Sequence, residues 1–454
     1  MPMATEPEAS GSRLAPPAEP ARSLRYRLLS QTLLLAMRVA LAASKALLTL
    51  YTARFLGLAD LGVYGLLIAG TTIVPAVAGF GMLDWISRKL VDLPRHEALD
   101  LIAARMGLTL GVHLTVQPVL LAIDLWLGQP IPFHLAVLSG MILLLEHIGS
   151  DGYDLMIARR HVLLAQVMVF VRGAVWPLLA IGIGLVFPEA RTLTCMLIVW
   201  LLVLAANALV LLGLFYSRAG TVLVPFRIGL LLHFFRGSWI LYIRDLTNLV
   251  SLFGDRFIIS TLLGLELTGV YTLFWSIANV IHSLAFNGLL QAHVASLFGA
   301  ARAGHAQLQS VKRRLQIEAS AWVMLLSGAA AVATPLLLPL VDRPLLQEHV
   351  AVFWIILFAM IMRIASDGYG LVLLALQRDR AIAIVAAAGA VSSAVLTAAL
   401  TFFLSLWGAA LAFALTTSGT FIARWWLATG FDGAASHAAA RMQPTEPVTT
   451  PASS

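Results

Sequence analysis

Long apolar runs dominate this sequence and constrain its fold more than any other feature. A helix that crosses the hydrocarbon core of a bilayer needs about 20 mostly apolar residues. Only 12% of the residues are charged, against about 25% in soluble domains. This pattern excludes a soluble enzyme, a soluble nucleic-acid-binding domain and a disordered protein. It predicts an all-α polytopic membrane protein with twelve spans, at residues 28–51, 61–83, 99–127, 133–157, 162–187, 193–216, 237–262, 268–295, 315–341, 349–376, 381–405 and 406–429.

The basic residues predict how these spans are oriented. With the N-terminus in the cytoplasm, nineteen of the 30 Lys and Arg residues fall in inner segments, and seven fall within spans. The other four lie in predicted outer loops, namely Arg54, Arg191, Arg256 and Arg343. Cytoplasmic loops of membrane proteins carry an excess of Lys and Arg. We therefore expect twelve spans with both termini in the cytoplasm, since one span more or fewer would destroy this bias.

The chain also repeats itself weakly. Three short motifs occur twice in the same order, LGL at 56–58 and 263–265, GVY at 62–64 and 269–271, and SDGY at 150–153 and 366–369. The first two recur at an offset of 207 residues and the third at 216. A repeat of six spans, an even number, gives two bundles with the same orientation in the membrane. They would be parallel repeats related by an axis along the membrane normal, as in many secondary transporters.

The repeat and the composition divide the chain into five segments. We expect disordered cytoplasmic tails, two six-helix bundles and an interfacial linker whose apolar and basic residues suit a membrane surface. These segments are a tail at 1–27, bundles at 28–216 and 237–429, the linker at 217–236 and a tail at 430–454.

Several of these stretches resemble the polysaccharide-flippase branch of the multidrug/oligosaccharidyl-lipid/polysaccharide (MOP) exporter superfamily. Residues 53–64 look like the family's connection between its first two helices, although Leu58-Ala59 stands where the family often has Pro-Glu. The Gly-Phe-Gly at 79–81 resembles the turn that ends the second helix. Residues 406–412 look like the start of the last helix, and the helix count and order extend the likeness over nearly the whole chain.

The resemblance implies a flippase of the bacterial inner membrane. Such proteins move polyprenyl-diphosphate-linked oligosaccharides outward for O-antigen, capsule or exopolysaccharide assembly. The partners would be this lipid-linked substrate, membrane lipids and the pathway's polymerase and glycosyltransferases, with no nucleic acid. Relatives that flip the peptidoglycan precursor have fourteen helices, whereas drug-extruding relatives also have twelve.

Two alternatives stay open from the sequence, a cation-coupled multidrug antiporter and a membrane enzyme of polysaccharide polymerisation. Such enzymes bring a sizeable outer loop, and the outer loops here are short, so we expect no enzyme. No P-loop and no clustered metal ligands occur, and Cys195 is the single cysteine. We therefore expect no cofactor and no metal.

Charges within spans are the candidates for function, because each Lys or Arg at mid-membrane costs about 2.5–3.5 kcal/mol on insertion scales. Arg38 and Lys45 lie seven residues apart and share one face of the first span. In the seventh span Arg244 and Asn248 share a face with Asp255. The resemblance places both helices at a central cavity. We therefore expect a cationic cavity that receives an anionic head group, since Arg binds phosphate oxygens bidentately.

The remaining candidates are less specific. Arg172 and Arg363 are further candidates for the cavity, although Arg172 could instead pair with Glu146 or Asp154. The acidic candidates for a gate or for structural ion pairs are Asp151, Asp367, Asp245, Asp255 and Glu146.

Overall fold

A computed structural model describes residues 24–82, 86, 90, 95–126, 132–158, 161–216, 242, 246, 247 and 249–441 of the chain. Within these residues the chain forms helices joined by short connections, as the long apolar runs predict. The predicted linker at 217–236 lies outside the described residues.

Seven helices of the N-terminal half have their bounds within the described residues. They are α1 (Leu24–Tyr51), α2 (Leu58–Gly79), α3 (Arg95–Trp126), α4 (Phe133–Ala158), α5 (Val162–Phe170), α6 (Trp176–Val186) and α7 (Leu193–Tyr216). A π-helical turn, Thr52–Leu56, continues α1, and a second, Val171–Val175, joins α5 and α6 into one span.

Seven further helices, in the C-terminal half, have their bounds within the part of the chain that the structure describes. They are α8 (Asp255–Leu263), α9 (Leu265–Ala285), α10 (Gln291–Ala303), α11 (His305–Val341), α12 (Pro344–Glu348), α13 (Val350–Ala375) and α14 (Asp379–Arg441). A third π-helical turn, Phe286–Leu290, joins α9 to α10. Ser405 interrupts α14 with φ 54° and ψ −140°.

These helices match the predicted spans closely. Nine helical segments of the described residues are long and apolar enough to cross a membrane. One of them, Asp379–Gly430, holds two predicted spans, which meet at the break at Ser405. Of the remaining two predictions, 99–127 coincides with α3, and 237–262 lies partly outside the described residues. Helices of the described residues therefore coincide with eleven of the twelve predicted spans and with part of the seventh, in two bundles.

Two boundaries differ from the sequence prediction. Helix α1 begins at Leu24, and α14 extends to Arg441, so helix continues into both segments expected to be disordered tails. The alanines between 434 and 440 explain the second extension, because alanine has the highest helix propensity.

Side-chain burial has the pattern of a protein that lies in lipid. One apolar core extends through both halves and includes Trp176, Trp200 and Phe353. Large apolar side chains also cover the outside, and Phe403 is 77% exposed. A water-soluble protein of this size rarely leaves such extensive apolar patches uncovered.

The two halves meet most closely where the sequence repeats. A Cβ atom added to Gly62 of α2 would lie 2.1 Å from the carbonyl oxygen of Leu265, and one added to Gly269 of α9 would lie 1.9 Å from that of Leu58. Both pairs are related by the 207-residue offset, so each half makes the same contact on the other. Gly57 and Gly264, at the same offset, both have positive φ, of 121° and 83°. The LGL and GVY repeats therefore mark a local two-fold relation between the halves.

Candidate functional site

The cations of α1 lie along the junction between the two halves. Nη1 of Arg38 donates to the carbonyl oxygen of Asn287, at 3.4 Å, and to Oε1 of Gln291, at 3.2 Å. Both acceptors belong to the C-terminal half, and Asn287 lies in the π-helical turn between α9 and α10. Arg38 is therefore bonded to neutral groups across the junction.

Lys45 lies two turns further along the same face of α1. Its side chain is exposed, and the charges that act on its ammonium group are those of Glu146 and Arg172. No hydrogen bond of this ammonium is formed within the described residues. The first span thus carries two cations to which no carboxylate of the described residues is bonded.

Arg172 pairs with Glu146 rather than with Asp154. Its Nε lies 3.4 Å from Oε2 of Glu146, and its Nη1 donates to the carbonyl oxygen of Glu146 at 3.0 Å. Trp200 donates to the other carboxylate oxygen at 3.0 Å. Gly149 leaves room for this side chain, because a Cβ atom added there would lie only 2.7 Å from Cδ of Arg172. Arg172 is therefore held by both the carboxylate and the backbone carbonyl of Glu146.

Asp151, from the first SDGY motif, is fully paired inside the N-terminal half. One carboxylate oxygen accepts from Arg105 at 2.9 Å, and the other accepts from Thr109 at 2.8 Å. His147 lies 3.1 Å from Arg105 and 3.0 Å from His113. Asp151 is 1% exposed and Arg105 2%, so this network is a buried ion pair that joins α3 to α4.

Asp367, from the second SDGY motif, has a looser environment. It accepts from Arg424 at 3.1 Å and lies 2.9 Å from Nε2 of His282. Arg363, one turn earlier on α13, has a buried Nη1 with no hydrogen-bond partner among the described residues. Two arginines thus surround one carboxylate in the C-terminal half.

Asp255 belongs to a closed cluster at the start of α8. It accepts from Arg256 at 3.1 Å and from the hydroxyl of Tyr271 at 2.6 Å. Arg256 also lies over the ring of Trp275, 4.1 Å from its centroid. Arg256 is only 1% exposed and lies in α8, so the prediction of a loop at this residue was wrong. The carboxylate of the preceding residue and the face of the Trp275 ring offset the free-energy cost of burying the charge of Arg256.

Ion pairing separates the described Lys and Arg residues of the predicted spans into two groups. Four arginines each bond to one carboxylate, namely Arg105 to Asp151, Arg172 to Glu146, Arg256 to Asp255 and Arg424 to Asp367. Three cations have no hydrogen-bonded carboxylate within the described residues, namely Arg38, Lys45 and Arg363. These three are the cations with capacity for an anionic ligand.

Three predicted site residues, Arg244, Asp245 and Asn248, lie outside the described residues. Helix α3 has a polar face that was not among the predicted sites. It carries Arg105, Thr109, His113 and Gln117. Their regular spacing of four residues is a visible signal for one polar helix face. His282 carries no comparable signal, because its partner Asp367 is 85 residues away.

Both ends of the junction are joined by polar contacts. At one end Arg343, before α12, donates to the carbonyl oxygens of Ala53 and Arg54, each at 3.2 Å. Arg191 lies there too, 4.6 Å from the ring centroid of Phe55. Three connections predicted to be outer thus lie together at what we call the Gly57 end.

At the opposite end, about 30 Å along the helices, Arg38 bonds to Asn287 and Gln291. There Tyr242 also bonds to the carbonyl oxygen of Val77, at 3.3 Å. We call this the Arg38 end.

Within the described residues no group of three or more His, Cys, Asp or Glu side chains could hold a metal ion.

Comparison with known proteins defines the fold of this chain. No protein-family model and no curated protein matches the sequence. Among solved structures, the chain is similar to the inward-facing form of a multidrug resistance MATE family transporter of the MOP superfamily. The TM-score is 0.65 and the identity 12%, over 89% of this chain and 95% of that one. An outward-facing form of such a transporter gives 0.59 and 13%, over 89% and 95%.

A third similar structure is a MOP superfamily transporter from Pyrococcus furiosus, for which a reverse polarity of the binding pocket suggests a different function. Its TM-score is 0.55 at 11% identity, over 89% of this chain and 95% of that one. These likenesses establish that the chain has the two-bundle MATE fold.

Proposed function

We propose that this chain is a transporter of the MOP superfamily that flips polyprenyl-diphosphate-linked oligosaccharide across the bacterial inner membrane. The two halves would open alternately toward each side of the membrane and supply the substrate for O-antigen, capsule or exopolysaccharide assembly. Support comes from the MATE fold, which solved transporters share, and from the charges at the junction of the halves.

The observation that carries the proposal is the pair of cations on α1. Arg38 has only neutral hydrogen-bond partners, and Lys45 has none within the described residues. Lys45 lies on α1 between the two ends of the junction, and a cation within the hydrocarbon layer is unfavourable unless it faces a wet cavity or an anionic partner. A diphosphate supplies negative charge and several acceptor oxygens, which Arg and Lys both bind. The junction between the halves is also where alternating access would expose a substrate.

A cation-coupled multidrug antiporter is the second candidate. The solved transporters that share this fold include multidrug resistance proteins, so the fold agrees equally with both candidates. The charges favour the flippase, because four carboxylates inside the described part of the chain, Glu146, Asp151, Asp255 and Asp367, each have a basic partner. The Pyrococcus furiosus transporter illustrates that pocket polarity differs among proteins of this fold.

The test is translocation by purified protein in vesicles. The protein should move a fluorescent polyprenyl-diphosphate oligosaccharide between leaflets. An Arg38→Ala, Lys45→Ala double variant should do so about tenfold or more slowly, as expected from the loss of about 1.4 kcal/mol of binding or more. An Arg313→Ala, Arg314→Ala variant is the matched control, because both side chains are exposed and lie outside the junction.

Three results would contradict the proposal. Normal translocation by the α1 double variant would remove the role of the two cations. Efflux of a cationic dye without movement of the glycolipid would favour the antiporter. Surface polymer that still forms in cells lacking this protein would exclude the flippase.

A further inference from the structure

Arg363, the third interior cation without a carboxylate of its own, lies at a separate cavity. This cavity has a volume of 260 Å³ and is lined by the C-terminal half alone, from Ser251 to Arg424. Its polar lining includes Arg363, Arg424, His282, Asp367 and Thr416. Neither Arg38 nor Lys45 is among its described lining residues.

Three hydrogen-bond donors in this lining have no partner among the described residues. They are Nη1 of Arg363, Nε of Arg424 and the hydroxyl of Thr416. Thr416 is 7% exposed. A buried donor without an acceptor costs about 1–3 kcal/mol, and more when the donor is charged. The lining residues therefore contain three donors whose hydrogen-bonding capacity is unmet within the described residues.

The charges of the lining are unbalanced in the same direction. Arg363 and Arg424 carry two positive charges, and Asp367 carries one negative charge. The adjacent Arg256 and Asp255 neutralise each other in their ion pair, 3.1 Å apart. With His282 neutral, the described lining has an excess of one positive charge.

The repeated motif shows that this arrangement is specific to one half. Asp151, the counterpart of Asp367, is paired with Arg105 and Thr109 on its two oxygens. The counterpart of Arg363, at the same offset of 216, is His147, which is buried and bonded to its neighbours. The N-terminal half has thus closed this position, whereas the C-terminal half keeps a cavity and an additional guanidinium.

We propose that this cavity binds a small oxyanion of phosphate size. Guanidinium groups match oxyanions because their donors are planar and forked, and the Thr416 hydroxyl adds a neutral donor. The volume of 260 Å³ lies below the about 300–1,000 Å³ of sites for drug-sized ligands. It accommodates a phosphate and a few waters, each of which occupies about 30 Å³ in the liquid.

The test is calorimetric titration of the purified, delipidated full chain with inorganic phosphate, in a buffer of constant chloride. Arg363→Gln should weaken phosphate binding by about tenfold or more, which corresponds to about 1.4 kcal/mol. Arg363→Lys keeps the charge without the fork and should give an intermediate affinity. Thr416→Val removes one neutral donor at nearly constant shape and should weaken binding by less than Arg363→Gln does.

Two controls locate the bound phosphate. Arg302→Gln alters an exposed arginine of the same half and should leave the affinity unchanged. The Arg38→Ala, Lys45→Ala variant should also keep its phosphate affinity, whether or not it translocates glycolipid. This separates the cavity from the proposed transport site. Competition by glycerol phosphate would indicate that a lipid head group can supply the oxyanion, and its failure would assign the site to the free ion.

Three outcomes would overturn the proposal. The first is phosphate binding that Arg363→Gln and Thr416→Val leave intact. The second is binding that disappears in the α1 double variant alone, because the phosphate would then lie at the junction. The third is absence of phosphate binding to a folded wild-type protein.

Discussion

Single residues in this protein are governed by the energy of placing charge in a low-dielectric interior. Each interior carboxylate described above forms an ion pair with an arginine. Each also has a second polar partner, which is Trp200, Thr109, Tyr271 or His282. Asp151 is the most completely bonded, with Arg105, Thr109 and the nearby His147. Such pairs hold neighbouring helices in register, and removal of one partner leaves an uncompensated charge.

We predict that Arg105→Gln and Asp151→Asn each lower the free energy of unfolding by about 3–5 kcal/mol. The double variant should lose less than the sum of the two, because it leaves no charge unpaired. Thermal or denaturant unfolding in detergent measures all three. Arg314→Gln is the control, because its pair with Glu318, although only 2.7 Å long, is exposed and should affect stability little. Equal effects at both pairs would contradict this account.

At the scale of elements, the repeated helices α2 and α9 form the junction through small residues. Gly62 and Gly269 allow the two backbones to approach until there is no room for a Cβ atom on either. Small residues have this role at many helix contacts in membranes, where packing replaces the hydrophobic effect as the driving force. The LGL and GVY motifs therefore have a structural reason to be repeated, since each copy packs against the other.

We predict that Gly62→Ala and Gly269→Ala each destabilise the protein by about 1–3 kcal/mol, as overpacking does in tight cores. Because the two contacts are related by the repeat, the two variants should have similar effects. Gly328→Ala is the control, since a Cβ there meets nothing within 4 Å, and it should be neutral or slightly stabilising. Thermal unfolding measures the series, and a loss at Gly328 equal to that at Gly62 would argue against tight packing at the junction.

For the whole molecule, the two ends of the junction are held differently. The Gly57 end combines the close α2–α9 packing with hydrogen bonds from Arg343 to the N-terminal half. At the Arg38 end, by contrast, the described polar contacts are a few hydrogen bonds between half-buried or exposed groups, and the rings of Phe80 and Tyr242 lie 6.1 Å apart. If the halves open alternately, the bonds of Arg343 must break when the Gly57 end opens.

We predict that Arg343→Ala increases opening at the Gly57 end by about tenfold, since bonds from a charged donor contribute about 1.5–3 kcal/mol. The reporter is Thr268→Cys, at a position that is 0% exposed, in a Cys195→Ser background. Labelling by an impermeant maleimide from the outside should accelerate accordingly, whereas Arg302→Ala should leave the rate unchanged. Labelling from the cytoplasmic side would contradict the predicted orientation, and an unchanged rate would show that Arg343 does not hold this end closed.

Some of these features followed from the chain alone. Helix formation in a membrane is local, because each span must satisfy its own backbone hydrogen bonds. For that reason the apolar runs located the helices, including the boundary at Ser405, and the repeated motifs located the two halves. The pairing of Arg172 with Glu146 was one of two alternatives that helix spacing allowed.

Which helix faces meet was decided only by the tertiary structure. Spans that are apolar on most sides carry little information on their rotation or their neighbours, since lipid and protein offer similar surroundings to an apolar side chain. The burial of Arg256, the contact of His282 with Asp367, the bonds of Arg38 across the junction and the cavity at Arg363 all depend on that packing. The sequence by itself determined the spans and their repeat, whereas packing between distant helices decided which of the interior charges lack a partner.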